Sequence, residues 1–217
     1  MSINCIVFDL DGTLLNTLDD LANGVNYTLE KFGYPTHEIE KYKIFVGNGM
    51  KNLINRAVPE EIKNTEIEKD ILAAFMEYYS AHSTDLTRPY DGVEDMIDAL
   101  KDRGIKIGMV TNKAHNAAID IMEKYFSGKF DYVLGQSEKF PLKPNPASAI
   151  FVCETLGCTP ENSIFVGDSG VDMKTGADGG FYPVGVLWGF RKADELFENG
   201  AKEVINHPKE LLNIIEK

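Results

Sequence analysis

Short, uninterrupted apolar runs recur along most of the chain. A strand buried on both faces of a parallel sheet needs no polar face, so it reads as a continuous apolar run. Five such runs predict strands at residues 4–9, 105–110, 131–134, 163–166 and 182–187. Helical patterns accompany them at residues 93–103, 114–126 and 146–156. This alternation of strand and helix indicates a parallel sheet with right-handed crossovers.

The stretch from about residue 15 to residue 87 breaks the alternation, because it contains only helical patterns. These lie at residues 18–32, 37–45, 50–58 and 65–80. We therefore predict a doubly wound, parallel-sheet α/β core with a Rossmann-like arrangement, into which a four-helix cap domain is inserted. The predicted core comprises residues 1–15 and 88–217, and the predicted cap comprises residues 16–87.

Composition and charge exclude several classes of partner. Of the 217 residues, 43% are apolar and 26% are charged, as in an ordinary globular protein. The net charge of −12 disfavours nucleic acid or an anionic membrane surface as a partner. Without a basic leader or an apolar run of eighteen residues, the sequence predicts neither a signal peptide nor a membrane span. We therefore expect a cytoplasmic protein.

The three cysteines, Cys5, Cys153 and Cys158, form no metal-binding or disulfide pattern. None belongs to a CxxC pair, and no histidine lies at zinc-finger spacing from them. An odd number of cysteines without a framework is typical of a reducing compartment. We predict that all three pack in the core.

Polar residues that follow the apolar runs are the main candidates for a functional site. In doubly wound sheets, ligands bind beyond the carboxyl ends of the strands. The candidates selected in this way are Asp9, Asp11, Thr111, Asn112, Lys143, Asp168 and Asp172. Three of the four carboxylates follow predicted buried strands directly, where an isolated charge is costly.

The carboxylates indicate a metal site. Asp9 and Asp11 are two residues apart in an extended chain, so both side chains point to one face. The alternative is that Asp11 only begins a turn with Gly12. Asp168 and Asp172 supply a second acidic cluster, although Asp168 could instead cap the following helix. Oxygen ligands without a nearby histidine or cysteine favour Mg²⁺.

Thr111 and Lys143 are candidate binders of a phosphate group. The Thr111 hydroxyl follows the 105–110 run and faces the predicted edge, although capping of the next helix is an equal alternative. Lys143 lies in a proline-stiffened loop. By itself it would be read as a surface lysine, but beside the acids it supplies the local positive charge that an acidic phosphate-binding protein needs.

At this point the sequence resembles a known superfamily. The segments DLDGTLLNT, VTNK, a lysine before a proline and GDSGVDM, in that order, resemble the four motifs of the haloacid dehalogenase superfamily. The inserted helices resemble the first cap class of that superfamily. FVGNGMKNLINRAV and GVLWGFRKADELFENGA are similar to its phosphoglycolate phosphatase-like branch. The segment KTGADGG departs from the alanine-rich turn of that branch, and we expect it to alter packing only.

The resemblance implies a phosphatase that works through an aspartyl-phosphate. It assigns Asp9 as the nucleophile and Asp11 as the general acid and base. It implies Mg²⁺ bound by Asp9, Asp168 and the Asp11 carbonyl, with support from Asp172. Phosphoryl oxygens would be bound by Thr111, the Asn112 amide and Lys143.

The substrate contacts expected from the cap are Lys43, Gly47, Asn48, Gly49 and Arg56. The alternatives are that the Gly-Asn-Gly run is an interhelix turn and that Arg56 is a solvated helix residue. We expect a small phosphorylated metabolite as substrate, in a monomeric enzyme most similar to phosphoglycolate phosphatases. A phosphosugar mutase or a pyrophosphatase of the same superfamily is the alternative; a dehalogenase or a non-catalytic phospholigand sensor fits less well.

Overall fold

The computed structural model describes residues 3–47 and 49–216. Its contacts divide the chain into two compact units. Residues up to 15 and from 89 onwards form an α/β unit, and residues 16–88 form a helical unit.

Eight strands are found in the described residues. They are β1 (Cys5–Phe8), β2 (Leu15–Asn16), β3 (Arg88–Pro89), β4 (Lys106–Ala114), β5 (Tyr132–Gln136), β6 (Ser163–Gly167), β7 (Tyr182–Val186) and β8 (Glu203–Ile205). Six of them form one sheet in the order β5-β4-β1-β6-β7-β8, in which every pairing is parallel, while β2 and β3 pair separately. The predicted doubly wound α/β fold is confirmed.

Ten α-helices are found in the same residues. They are α1 (Leu18–Lys31), α2 (Ile39–Phe45), α3 (Met50–Ala57), α4 (Glu66–His82), α5 (Val93–Asp102), α6 (His115–Phe126), α7 (Ala147–Thr155), α8 (Gly170–Asp178), α9 (Ala193–Glu198) and α10 (Glu210–Ile215). Short 3₁₀ helices lie at Glu60–Ile62 and Pro160–Asn162. No helix in the described part of the chain is both long and apolar enough to cross a membrane.

The α/β unit has a hydrophobic cluster on each face of its sheet, and β1 contributes to both. Ile6 and Phe8 belong to one cluster, whereas Cys5 and Val7 belong to the other. Successive side chains of a strand point to opposite faces, so a central strand covered on both sides must be apolar throughout. The three cysteines are free and buried in the second cluster, as predicted.

The helical unit is built around α1, which packs against α4 and α2. Close approach of α1 and α4 depends on Gly24, where an added Cβ would lie 3.1 Å from the Phe75 ring. Asp20, on the same helix, is buried and accepts hydrogen bonds from the backbone amides of Leu86 and Thr87.

The largest difference from the sequence prediction is the length of β4. The strand continues through Ala114 instead of ending at residue 110, with a shift of its register against β5 between Val110 and Ala114. Thr111 therefore lies within the strand, and the alternative reading as a helix cap is wrong because Ala114 occupies the N-cap position of α6.

Candidate active site

The candidate site lies at the carboxyl end of β1. In the sheet, β1 lies between β4 and β6, so the chain passes to β4 on one side and later returns to β6 on the other. Such a switch in strand order leaves a crevice beyond the strand ends. Asp9 follows β1 directly, and its backbone amide donates to the Val166 carbonyl of β6 at 2.9 Å.

Three buried carboxylates meet there. Asp9, Asp168 and Asp172 each place a carboxylate oxygen within 4.8 Å of the oxygens of the other two. Lys143 forms ion pairs with two members of this group, which we call the acid cluster. The positive charge of Arg191 also acts on Asp168. The three carboxylates nevertheless repel one another, as their pKa values show below.

Lys143 bridges two members of the acid cluster. Its Nζ atom lies 2.6 Å from Asp9 Oδ1 and 2.7 Å from Asp172 Oδ1. Its backbone is held by Asn112, whose side-chain Oδ1 accepts from the Lys143 amide at 2.9 Å and whose Nδ2 donates to the Lys143 carbonyl at 3.1 Å. The Asn112 side chain thus attaches the loop that carries Lys143 to the end of β4.

The pKa values in this site reflect burial and excess negative charge. Burial, followed by repulsion from Asp172, raises the pKa of Asp9 to about 7 despite the opposing effect of Lys143. Burial and the charges of Asp172 and Asp9 also raise the pKa of Asp168 well above its ordinary value. Burial alone would lower the pKa of Lys143, but attraction by Asp172 and Asp9 outweighs it and raises this pKa. A further cation would relieve the repulsion.

Asp168 and Asp172 are fixed by different local structures. Ser169, not Asp168, is the N-cap of α8, so the alternative role of Asp168 as a helix cap is wrong. Asp172 completes a capping box, since its Oδ2 accepts from the Ser169 amide at 3.1 Å while the Ser169 hydroxyl oxygen accepts from the Asp172 amide at 3.4 Å. Asp168 Oδ2 accepts from the Phe190 backbone amide at 2.7 Å, in the loop after β7.

Glycines allow the backbone to approach these carboxylates. A Cβ on Gly12 or Gly189 would overlap the Asp168 side chain, and Gly12 also has a φ of 86° that favours glycine. A Cβ on Gly167 would overlap Asp172, while one on Gly170 would lie 2.7 Å from the Asn199 amide group. Gly167 and Gly170 therefore make room for these neighbouring side chains.

Asp11 pairs with a lysine that we did not predict from the sequence. Lys113 is buried on β4, and its Nζ atom lies 3.2 Å from Asp11 Oδ1 and 3.5 Å from Asp11 Oδ2. The available signal was its spacing, because Lys113 is two residues after Thr111 and follows the same buried run. The Thr111 hydroxyl accepts from the Lys113 backbone amide at 3.1 Å.

The predicted cap residues that the structure describes belong to the helical unit. Lys43 forms an ion pair with Glu40 at 2.8 Å. Gly47, with a φ of 111°, and Gly49, the N-cap of α3 with a φ of 85°, lie in the α2–α3 connection, which supports the interpretation as an interhelix turn. Asn48 lies outside the described residues.

Arg56 is not the solvated helix residue that we considered as an alternative. It is half-buried, and its Nη1 atom donates to the carbonyls of Phe45 at 2.9 Å and Gly47 at 3.2 Å. The guanidinium therefore stabilises the turn between α2 and α3.

The acid cluster fits a hard divalent cation. Its converging donors are carboxylate oxygens, which Mg²⁺ prefers, and its excess of negative charge is the charge that such an ion would neutralise. All three cysteines lie in the hydrophobic cluster that contains Val7, away from the acid cluster. The acid cluster therefore offers no cysteine ligand to a soft metal.

Comparison with known proteins gives a consistent picture. Residues 6–186 match the family described as haloacid dehalogenase-like hydrolase. The chain is 33% identical over 212 residues to phosphoglycolate phosphatase 1 of Pseudomonas aeruginosa, covering 95% of this chain and 78% of that protein. It is 28% identical to the N-acetylmuramic acid 6-phosphate phosphatase of the same organism, with coverages of 100% and 96%. A solved structure described as a predicted phosphoglycolate phosphatase of Haemophilus somnus aligns with a TM-score of 0.89 at 28% identity, covering 99% and 98%.

Proposed function

The chain belongs to the haloacid dehalogenase-like hydrolases, and from this premise we propose that it is a Mg²⁺-dependent phosphomonoesterase that acts on a small phosphorylated metabolite. The observation that carries the proposal is the acid cluster with Lys143 bound to two of its members. A carboxylate can attack a phosphate dianion only where positive charge offsets the repulsion, and this site concentrates the groups that would hold such charge.

In the first half of the proposed reaction, Asp9 is the nucleophile. One of its carboxylate oxygens attacks phosphorus, the bond from phosphorus to the ester oxygen breaks, and an aspartyl-phosphate forms. Asp11 gives its proton to the departing alkoxide and becomes a carboxylate. Its side chain is partly exposed, in contrast to that of Asp168, which suits a group that exchanges protons with substrate and water.

In the second half, Asp11 acts as the base. Its carboxylate takes a proton from water while the water oxygen attacks phosphorus. The acyl-phosphate bond breaks, inorganic phosphate leaves, and the Asp9 carboxylate is regenerated. Asp11 thus ends the cycle protonated, as it began, and no other proton donor is required.

The remaining residues would hold the metal ion and bind the phosphoryl oxygens. Asp9, Asp168 and the Asp11 carbonyl would hold Mg²⁺, supported by Asp172. When bound, the ion would neutralise charge on the phosphoryl oxygens. The Thr111 hydroxyl accepts from a backbone amide, so its own hydrogen is available to donate to a phosphoryl oxygen. Lys143 supplies a fixed positive charge beside Asp9.

The decisive experiment measures phosphate release from a panel of phosphorylated metabolites with and without Mg²⁺. We expect turnover that requires Mg²⁺, and we expect Asp9→Asn to abolish both turnover and formation of the beryllofluoride adduct that mimics the aspartyl-phosphate. Retained turnover by Asp9→Asn would refute the proposed mechanism. Formation of an isomeric sugar phosphate without phosphate release would favour a mutase.

Phosphoglycolate is the first substrate to test, because several relatives carry that name. The name of another relative specifies N-acetylmuramic acid 6-phosphate, so the reaction is better supported than any one substrate. We propose that Lys43, Gly47, Asn48, Gly49 and Arg56 contribute to substrate choice. Lys43→Met should then change the ranking of substrates in the panel, and an unchanged ranking would show that Lys43 does not contribute to substrate choice. Monomeric state and cytoplasmic location stay predictions.

A further inference from the structure

The pair formed by Lys113 and Asp11 is almost closed to solvent on the lysine side. The Lys113 side chain is 2% exposed and the Asp11 side chain is 17% exposed. Lys113 Nζ reaches both carboxylate oxygens, at 3.2 Å and 3.5 Å. An ammonium at this depth is expensive to desolvate, and pairing with a carboxylate offsets that cost. The contact therefore fixes both side chains.

Two buried lysines serve different carboxylates in this site. Lys143 forms ion pairs with Asp9 and Asp172, and Lys113 forms an ion pair with Asp11. Lys113 is carried by β4, and Lys143 by the loop between β5 and α7.

We propose that Lys113 is a positioning residue whose ammonium holds the Asp11 carboxylate in the orientation required for proton transfer. The inference rests on the function proposed above, in which Asp11 protonates the leaving group. Asp11 lies just beyond β1, and its side chain is partly exposed, so packing alone does not restrict it to one rotamer. A contact such as that with Lys113 is needed to select one orientation of the carboxylate.

The reason for expecting a large effect is geometric. Proton transfer requires the donor and acceptor to be within hydrogen-bond distance, and displacement of a reacting group by about 1 Å can cost about a hundred-fold in rate. An alternative role for Lys113 is direct binding of phosphoryl oxygens. Positioning of Asp11 and direct phosphate binding predict different effects of the leaving group. If Lys113 acts through Asp11, the loss of rate on its substitution should depend on how much the leaving group needs a proton; if it binds phosphate directly, the loss should not.

The test compares kcat/KM of Lys113→Met and Lys113→Gln for an alkyl phosphate, phosphoglycolate, and an aryl phosphate, p-nitrophenyl phosphate. This parameter covers only the steps up to release of the alcohol, so the second half-reaction does not affect it. We expect a loss of about ten- to a hundred-fold for the alkyl ester and less than about three-fold for the aryl ester. Glutamine retains a hydrogen-bond donor, so its loss should be smaller.

A double-mutant cycle with Asp11→Asn provides the second readout. If Lys113 acts through Asp11, adding Lys113→Met to Asp11→Asn should change kcat/KM by less than about two-fold. The double variant leaves no unpaired buried charge, so it also keeps the test valid should Lys113→Met alone fold poorly. Lys106→Met is the matched control, because Lys106 lies on the same strand in an exposed pair with Asp131.

Equal losses for the two esters, or additive losses in the cycle, would overturn the proposal and indicate direct phosphate binding. An unaffected Lys113→Met variant would overturn it as well. Failure of the proposed function itself would be seen separately, as retained turnover by the Asp9→Asn variant in the same assay.

Discussion

Lys143 and Asp9 form a buried ion pair in which the Nζ atom lies 2.6 Å from the Oδ1 atom. The same ammonium lies 2.7 Å from a second carboxylate, that of Asp172. One positive charge therefore serves two negative ones, while Asp168 adds a third carboxylate nearby. A bound cation would reduce the repulsion among these carboxylates, so it would stabilise the folded protein. The same positive charge would help the site to bind a phosphate group.

Replacing Lys143 with methionine should reduce both activity and stability. The change leaves Asp9 and Asp172 buried without their counter-charge, and removing one partner of a buried pair costs about 3–5 kcal/mol. We expect kcat to fall by at least about a hundred-fold, the usual effect of removing a preorganised electrostatic contact. Phosphate release and urea unfolding with EDTA would measure the two effects. Lys174→Met is the control, since Lys174 forms an exposed pair with Asp178.

The sequence predicted the fold because burial on both sides leaves a direct trace in each strand. Cys5–Phe8 is apolar at every position since Cys5 and Val7 face one cluster while Ile6 and Phe8 face the other. The stretch between residues 15 and 87 was predicted to be helical for the complementary reason that it lacks such runs. Family membership, predicted from four ordered motifs, is confirmed by the match over residues 6–186.

Side-chain pairing was harder to predict, because it depends on contacts between distant parts of the chain. The bonds from Lys113 to Asp11 and from Phe190 to Asp168 each join elements that only the folded sheet brings together. A lysine just after an apolar run resembles an ordinary surface residue, and a backbone amide has no sequence signature at all. The capping role of Ser169 was local and could have been recognised from the aspartate three residues later.

Stability of the metal-free protein should decrease as the pH rises from 5 to 7.5. The pKa of Asp9 is about 7 in the folded protein, against 3.8 ordinarily. A raised pKa means that the folded state binds more protons within this interval, so the free energy of unfolding falls with increasing pH. The pKa of Asp168 is shifted in the same direction. That of Lys143 is raised above an already high value, so this lysine stays charged throughout.

Thermal unfolding with EDTA at several pH values would measure this dependence. Asp9→Asn should show a shallower slope than the wild type, since its amide does not titrate. Mg²⁺ should raise Tm more at pH 8 than at pH 5.5, because metal binding competes with protons for the carboxylates. Equal slopes for the wild type and Asp9→Asn would contradict the assignment.

Gly189→Ala should weaken Mg²⁺ binding. The added Cβ would overlap the Asp168 side chain and the Gly12 carbonyl, so the loop after β7 or the carboxylate must move. Since the Phe190 amide in this loop also orients Asp168, we expect a loss of about ten- to a hundred-fold in metal affinity, as for residues that orient a metal ligand. The dependence of turnover on Mg²⁺ concentration would measure it.

Gly104→Ala controls for a general glycine effect. Gly104 has a φ of 72° and no atom within 4 Å of an added Cβ, so its substitution strains the backbone without touching the site. It should cost about 1 kcal/mol of stability and leave the Mg²⁺ dependence unchanged. Equal shifts in that dependence for the two variants would show that Gly189 has no specific role.

Asp20→Ala should destabilise the helical unit. Asp20 is buried in the first turn of α1, and its carboxylate accepts from the Leu86 amide at 3.0 Å and from the Thr87 amide at 2.8 Å. Alanine would leave these amides without their acceptor, at a cost of about 1–3 kcal/mol for each group that remains buried. Asp19→Ala removes a neighbouring charge from the same helical turn and serves as the control for the helix-dipole effect, about 0.3–1 kcal/mol. Urea unfolding should therefore show a larger loss for Asp20→Ala, and equal losses would mean that the two hydrogen bonds add nothing beyond the charge.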